Sequence, residues 1–167
     1  MKLLLLFVIF LTNSIYGQVL LLDVLPLIDD KVTYKNVHEV LGDTKMDLYK
    51  KAGDWYKNEG ISLAINKPLD DTHHYVSGTY AFKTLWGPND FPELYKEIEF
   101  NINLTLKNER YQYELSRFIV NDSNQVVQLE IYKMDHKKLY KYNKAFYVRI
   151  DKEIKDLLAR LEKAMAQ

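Results

Sequence analysis

Between Glu97 and Val120 the apolar residues fall on every second position, and this restricts the possible folds more than any other stretch of the chain. Ile98, Phe100, Ile102, Leu104 and Leu106 alternate with Glu97, Glu99, Asn101, Asn103, Thr105 and Lys107. A period of two is the side-chain alternation of a β-strand, so the apolar set lies on one face. Tyr111, Tyr113, Leu115 and Ile119 continue that face on the way back. With Asn108-Glu109 as a two-residue loop, Leu106 faces Tyr111, Leu104 faces Tyr113 and Ile102 faces Leu115. The expected product is a hairpin with one greasy side and one polar side, and the greasy side needs a layer to cover it.

Two stretches of helical period supply that layer. Gly42-Asp43-Thr44 opens the first, with Thr44 placed three residues before Asp47 as a capping box in which Asp stands for the usual Glu. Leu48, Ala52, Trp55 and Glu59 form its stripe, widened by Tyr49 and Tyr56, and Gly60 is the expected left-handed stop. Gly53 in its interior costs about 1 kcal/mol relative to Ala, and its missing side chain is expected to admit a close strand. The second stretch carries Phe146, Ile150, Ile154, Leu157, Leu161 and Met165 at helical spacing, broadened by Leu158 and Ala164. Its start is expected between Asn143 and Lys152, with Asp151 as a candidate N-cap.

Shorter strands complete the sheet. Lys31 to Val40 reads as a first strand, with Val37 and Val40 out of phase with Val32 and Tyr34, which places a bulge near Asn36. Ile61, Leu63 and Ile65 mark a second strand before a turn at residues 67–71. His73 to Leu85 marks a third, with Val76, Gly78, Tyr80 and Phe82 inward. Val126 to Tyr132 is a candidate edge strand. Residues 18–30 form an N-terminal arm, which Pro26 confines to an edge.

The first residues have another purpose. Lys2 precedes the nine-residue apolar run Leu3 to Leu11, followed by Thr12, Asn13, Ser14 and the small Gly17. That order describes a secretory signal peptide, residues 1–17, with cleavage expected after Gly17, and the run is too short to span a membrane. Of 23 basic and 23 acidic groups, removal takes only Lys2, leaving 22 against 23. The expected product is a nearly neutral protein in the periplasm or outside the cell. No cysteine is present, which excludes disulfides, thiolate metal sites and a lipid-modified N-terminal Cys.

Strand, helix, then four or more antiparallel strands and a long terminal helix is the order of the TATA-binding-protein-like (TBP-like) fold. The chain resembles a domain family of unknown function with that fold, found in short exported bacterial proteins. The likeness is carried by Lys31-Val32-Thr33-Tyr34, by Leu48-Tyr49, Ala52 and Trp55-Tyr56, by Arg110-Tyr111-Gln112-Tyr113, and by Asp151, Ile154, Leu157-Leu158, Leu161 and Ala164-Met165. It covers residues 31–166 as a single domain. It implies an α+β domain with a curved antiparallel sheet in β-α-β-β-β-β-α order and two helices packed on one face. Similar sequences favour Asp-Gly at the hairpin turn, suited to a type I′ turn, where this chain has Asn108-Glu109.

The sequence offers little chemistry. Asp70, Asp71, His73 and His74 cluster, but neighbouring strand residues point to opposite faces, so the two histidines do not share an ion. His38 and His136 are scattered, no nucleophile motif or phosphate-cradling loop occurs, and no cofactor or metal is expected. Glu97, Glu99 and Glu114 share the polar sheet side, where a small extracytoplasmic hydrolase would have to build its acid and base; an open sheet does not separate their proton affinities. DNA reading needs cations and apolar wedges that this face lacks, so no nucleic-acid partner is expected.

Contact surfaces remain. Tyr132 to Arg149 carries five Lys and one Arg against Asp135, interleaved with aromatics, and is either a peripheral envelope contact or a solvated connector. Trp86 and Phe91, in the loop of residues 86–92, either anchor an interface or close the sheet end. The expected role is an exported, non-catalytic binding module, its partner an unknown protein or small ligand outside the cytoplasm. Candidate binding residues are Trp86, Phe91, Asn101, Asn103, Glu114, Ser116 and Phe118.

Overall fold

The computed structural model describes residues 24–68, 73–87, 95–122, 125–132 and 140–167. The expected signal peptide, the first part of the arm, Asp70 and Asp71, Phe91 and residues 133–139 of the lysine-rich stretch lie outside the described residues. In chain order the elements are β1 (Leu27–Ile28), β2 (Lys31–Val32), β3 (Tyr34–Glu39), α1 (Lys45–Asn58), β4 (Ser62–Pro68), β5 (His74–Leu85), β6 (Tyr95–Lys107), β7 (Arg110–Asp122), β8 (Gln125–Gln128), a 3₁₀ turn (Leu129–Ile131) and α2 (Tyr140–Met165). β1 and β2 form a small hairpin turning at Asp29-Asp30, both at positive φ. The other strands make one antiparallel sheet of order β3-β7-β6-β5-β4, with β8 also on β7.

The β6–β7 hairpin is its spine. Leu106 pairs with Tyr111, Leu104 with Tyr113 and Ile102 with Leu115, as the alternation predicts. These residues are buried, together with Ile98, Phe100, and Leu48, Ala52, Trp55 and Tyr56 of α1. The same core takes Phe146, Ile150, Ile154, Leu157, Leu161 and Met165 of α2. Both helices therefore cover one side of the sheet. Tyr56 crosses the core, its hydroxyl donating to the Ile102 carbonyl at 3.0 Å, and burial pushes that phenol's pKa upward.

The register fails to continue past Ser116. Ser116 pairs with Asn101 but Ile119 pairs with Glu99, so Arg117 and Phe118 together oppose Phe100. Arg117 takes φ 59°, the left-handed conformation usually left to glycine in such a bulge. The extra residue flips the phase. Phe118 and Val120 turn into the core and Ile119, expected inside, turns out. Phe118 stacks on Phe100 with ring centroids 4.6 Å apart.

Other expectations are corrected. The break in the first strand falls at Thr33, not Asn36, since β3 pairs with β7 without interruption from Tyr34 to Glu39. β4 continues through Pro68, beyond the expected turn at residue 67, and is bulged between Leu63 and Ile65. The second helix starts at Tyr140, and Asp151 lies inside it, accepting from the Tyr34 hydroxyl at 2.9 Å and from Lys155 at 2.7 Å. Gly53 admits no strand, for it is exposed with nothing near its absent Cβ. Gly78 is the close approach. A Cβ there would lie 2.7 Å from both the Ser62 carbonyl oxygen and Tyr56 Cε1.

The hairpin turn explains its own departure from Asp-Gly. Only Glu109 has positive φ, 61°, so the turn is not type I′, which needs two such residues. Asn108 Oδ1 accepts from the Lys45 amide at 2.7 Å, at the first turn of α1 beside the Thr44–Asp47 capping box. Glu109 donates its amide to the Asp43 carbonyl at 2.9 Å, and its own carbonyl accepts from Val40 at 2.8 Å. Asn and Glu here join the sheet to a helix start whose amides have no partner of their own.

Candidate functional site on the open sheet face

The side of the sheet away from the helices is laid out by strand register. One row runs Tyr75, Thr105, Gln112, Val37; the next runs Ser77, Asn103, Glu114, Lys35; a third runs Thr79, Asn101, Ser116. Beyond the bulge come Ala81, Glu99 and Ile119, then Lys83, Glu97 and Asn121. These outward positions exist because each inward neighbour is held in the core, so the apolar alternation fixes the polar array as well.

Charge sits at the margins. Lys107, Arg110 and Glu39 lie at the turn end, and Lys83, Glu97 and Glu99 at the other. Within the middle rows, Lys35 Nζ pairs with Glu114 at 2.8 Å, cancelling both charges. Tyr75 donates to Asn103 Oδ1 at 2.9 Å, and Asn121 to Glu97 Oε1 at 3.2 Å. Among the described residues, the half-buried side chains of Asn101, Thr105, Gln112 and Ser116 have no hydrogen-bond partner. They stand as two cross-strand pairs, Asn101–Ser116 and Thr105–Gln112, on either side of the Asn103–Glu114 row.

Of the expected binding residues, Asn101, Asn103, Glu114 and Ser116 are brought together on this face. Phe118 is not, because the Arg117 bulge carries it into the core, 0% exposed. Trp86 is buried at 6% exposure, its Nε1 donating to Asn143 Oδ1 at 3.2 Å, so it closes the sheet end. Tyr75, the buried Ser77 and Thr79 border the site from β5; the alternation of Val76 and Gly78 placed Ser77 and Thr79 on the polar side without showing which strand they border.

Little on the face resembles acid–base machinery. Glu97 and Glu99 are about 7 Å apart along one strand, a spacing that catalytic carboxylate pairs also use, but such a pair needs one member desolvated. Two shallow depressions lie at the margins of the face. One of about 270 Å³ is lined by Glu39, Leu41 and residues 107–110 at the hairpin tip. The other, about 220 Å³, is lined by Phe82, Lys83, Thr84, Arg149, Lys152 and Glu153. Among the described residues no three His, Asp or Glu side chains are placed to hold a metal ion. His74 instead packs on Tyr49, ring centroids 4.3 Å apart, and burial, then nearby Lys45, lowers its pKa. His38 stacks on Tyr111 and Tyr113 with Glu162 at 3.5 Å, on the helix side. Tyr132, Phe146 and Tyr147 of the basic aromatic stretch belong to the core, and no described helix is long and apolar enough to cross a membrane.

Solved structures decide the architecture. A TBP-like protein from Parabacteroides distasonis superposes with a TM-score of 0.54 at 17% identity, over 82% of this chain and 96% of that one. The fold is TBP-like. A DUF4468 family protein from Bacteroides ovatus matches this TBP-like chain with a TM-score of 0.63 at 13% identity, over 86% of this chain and 91% of that one. No protein-family model matches the sequence, and no curated protein matches it. At such identities the shared property is the TBP-like fold.

Proposed function

We propose that the protein is an exported, non-catalytic binding module that meets its ligand or partner on the open sheet face. The observation that carries this reading is the block of Asn101, Thr105, Gln112 and Ser116, polar, half-buried and unpaired among the described residues. Half-buried donors and acceptors without partners gain most from a ligand that supplies them. The rigid pleat beneath holds them at fixed spacing, so little ordering is lost on binding. Export rests on the charge, apolar core and small-residue order of residues 1–17.

Capture from an envelope fraction tests the proposal. Immobilised mature protein is compared with a variant carrying Asn101→Lys and Ser116→Lys, two outward residues paired across β6 and β7. The wild type is expected to retain an envelope component that the variant releases, with equal thermal midpoints. Equal retention by both proteins removes the sheet face from the account.

A further inference from the structure

We infer that the ligand of this face is an uncharged, polyhydroxylated chain, a neutral glycan, lying across β5, β6 and β7. The inference rests on the reading of the open face as the binding surface and adds the ligand's chemical class. Three observations carry it.

The first is charge. The middle of the face holds amides and hydroxyls, and its one cation and one anion there, Lys35 and Glu114, neutralise each other at 2.8 Å. A polyanion or polycation finds no complementary field, and an anionic bilayer finds no cationic patch. The second is the type of group. Asn and Gln amides offer donors and an acceptor, and Ser and Thr hydroxyls donate or accept at need. Such groups match a ligand whose every position is itself both donor and acceptor, which describes vicinal hydroxyls.

The third is size. From Asn101 to Thr105 is about 13 Å along the strand, and β5 to β7 is about 10 Å across. That footprint is far below the roughly 800 Å² a side of a standard protein interface. It also lacks the anchors of one, since its aromatic is Tyr75, whose hydroxyl is committed to Asn103. The patch fits a short run of sugar rings laid flat. A polysaccharide outside the cell presents many such runs to the one face.

The test uses the ¹⁵N-labelled mature protein and three probes, the hexaoses of β-1,4-glucose, α-1,4-glucose and β-1,4-xylose, beside a protein-free neutral glycan pool from the exporting cell's envelope. A further arm adds the envelope protein fraction. The expected result is a titratable shift of the side-chain amides of Asn101 and Gln112 with at least one glycan preparation, unchanged between 20 and 300 mM salt. Gln112→Ala is expected to weaken it about tenfold at an unaltered thermal midpoint. Absence of shifts with every glycan preparation overturns the inference. Shifts at those amides with the protein fraction alone also overturn it while leaving the face as the binding surface. Silence in both arms removes both readings.

Discussion

Gly78 and Gly53 respond in opposite directions to the same one-atom change. Gly78 lies on β5 where Tyr56 passes over the sheet, and a Cβ would meet the Ser62 carbonyl oxygen at 2.7 Å, Tyr56 Cε1 at 2.7 Å and Ile61 Cγ2 at 2.9 Å. The first is backbone and cannot swing aside. The second belongs to a ring held by its hydroxyl on the Ile102 carbonyl. Alanine gains about 0.5–1 kcal/mol over glycine in an unstrained strand, but overpacking costs about 1–3 kcal/mol, so the clash wins. At about 2–4 °C per kcal/mol for a chain of this size, Gly78→Ala lowers the midpoint by several degrees. Gly53→Ala meets nothing within 4 Å on an exposed helix position and raises it by about 2–4 °C. Circular dichroism melts of the two variants and wild type decide the matter. A Gly78→Ala protein as stable as wild type would refute the packing argument, as would a destabilised Gly53→Ala protein.

Four further outcomes follow from the same geometry. Phe118→Ala loses about 3–5 kcal/mol in urea unfolding because the ring is buried against Phe100; a loss under 1 kcal/mol would return Phe118 to the surface. Trp55→Phe is nearly neutral in the same assay, since the indole Nε1–H is buried with no acceptor among the described residues and its removal offsets part of the lost ring area; a loss above about 3 kcal/mol would reveal a partner. Asn108→Ala costs about 1 kcal/mol by freeing the Lys45 amide, which melts compared with Asn108→Asp measure. His74 has a folded pKa below its unfolded 6.5, so the unfolded state binds the extra proton and this residue's contribution is complete above pH 6.5 and lost as pH falls towards the folded value. His74→Gln therefore flattens the fall in midpoint between pH 7.5 and 5, and an unchanged slope would contradict the assignment.

How much of this was legible in the sequence depended on whether a signal was local. Leu106 opposite Tyr111 and the Ile150–Ile154–Leu157–Leu161 stripe are local periodicities, and both hold. Arg117 hid the bulge because a left-handed position carries no mark when its residue is not glycine, and Phe118 and Ile119 were thereby assigned to the wrong sides. Gly78 and Gly53 look alike in the chain; only the passage of Tyr56 separates them. Asn108-Glu109 read as a poor turn because its use lies at residues 40–45, more than sixty positions away. The candidate site was visible as a polar alternation on β6 and β7, whereas the border with Ser77 and Thr79 and the Lys35–Glu114 pair exist only once the strands are ordered.

Hydroxyl-radical footprinting with and without envelope extract tests most directly whether the open sheet face is where this domain binds. Tyr75 borders the middle rows of that face, while Tyr95 at 54%, about 20 Å along the strand from Asn101, and Met46 at 50% and Val148 at 48% on the helices serve as internal references. The account predicts that the extract protects Tyr75 and leaves Tyr95, Met46 and Val148 as reactive as before. Protection of the helix residues with Tyr75 still reactive would contradict it.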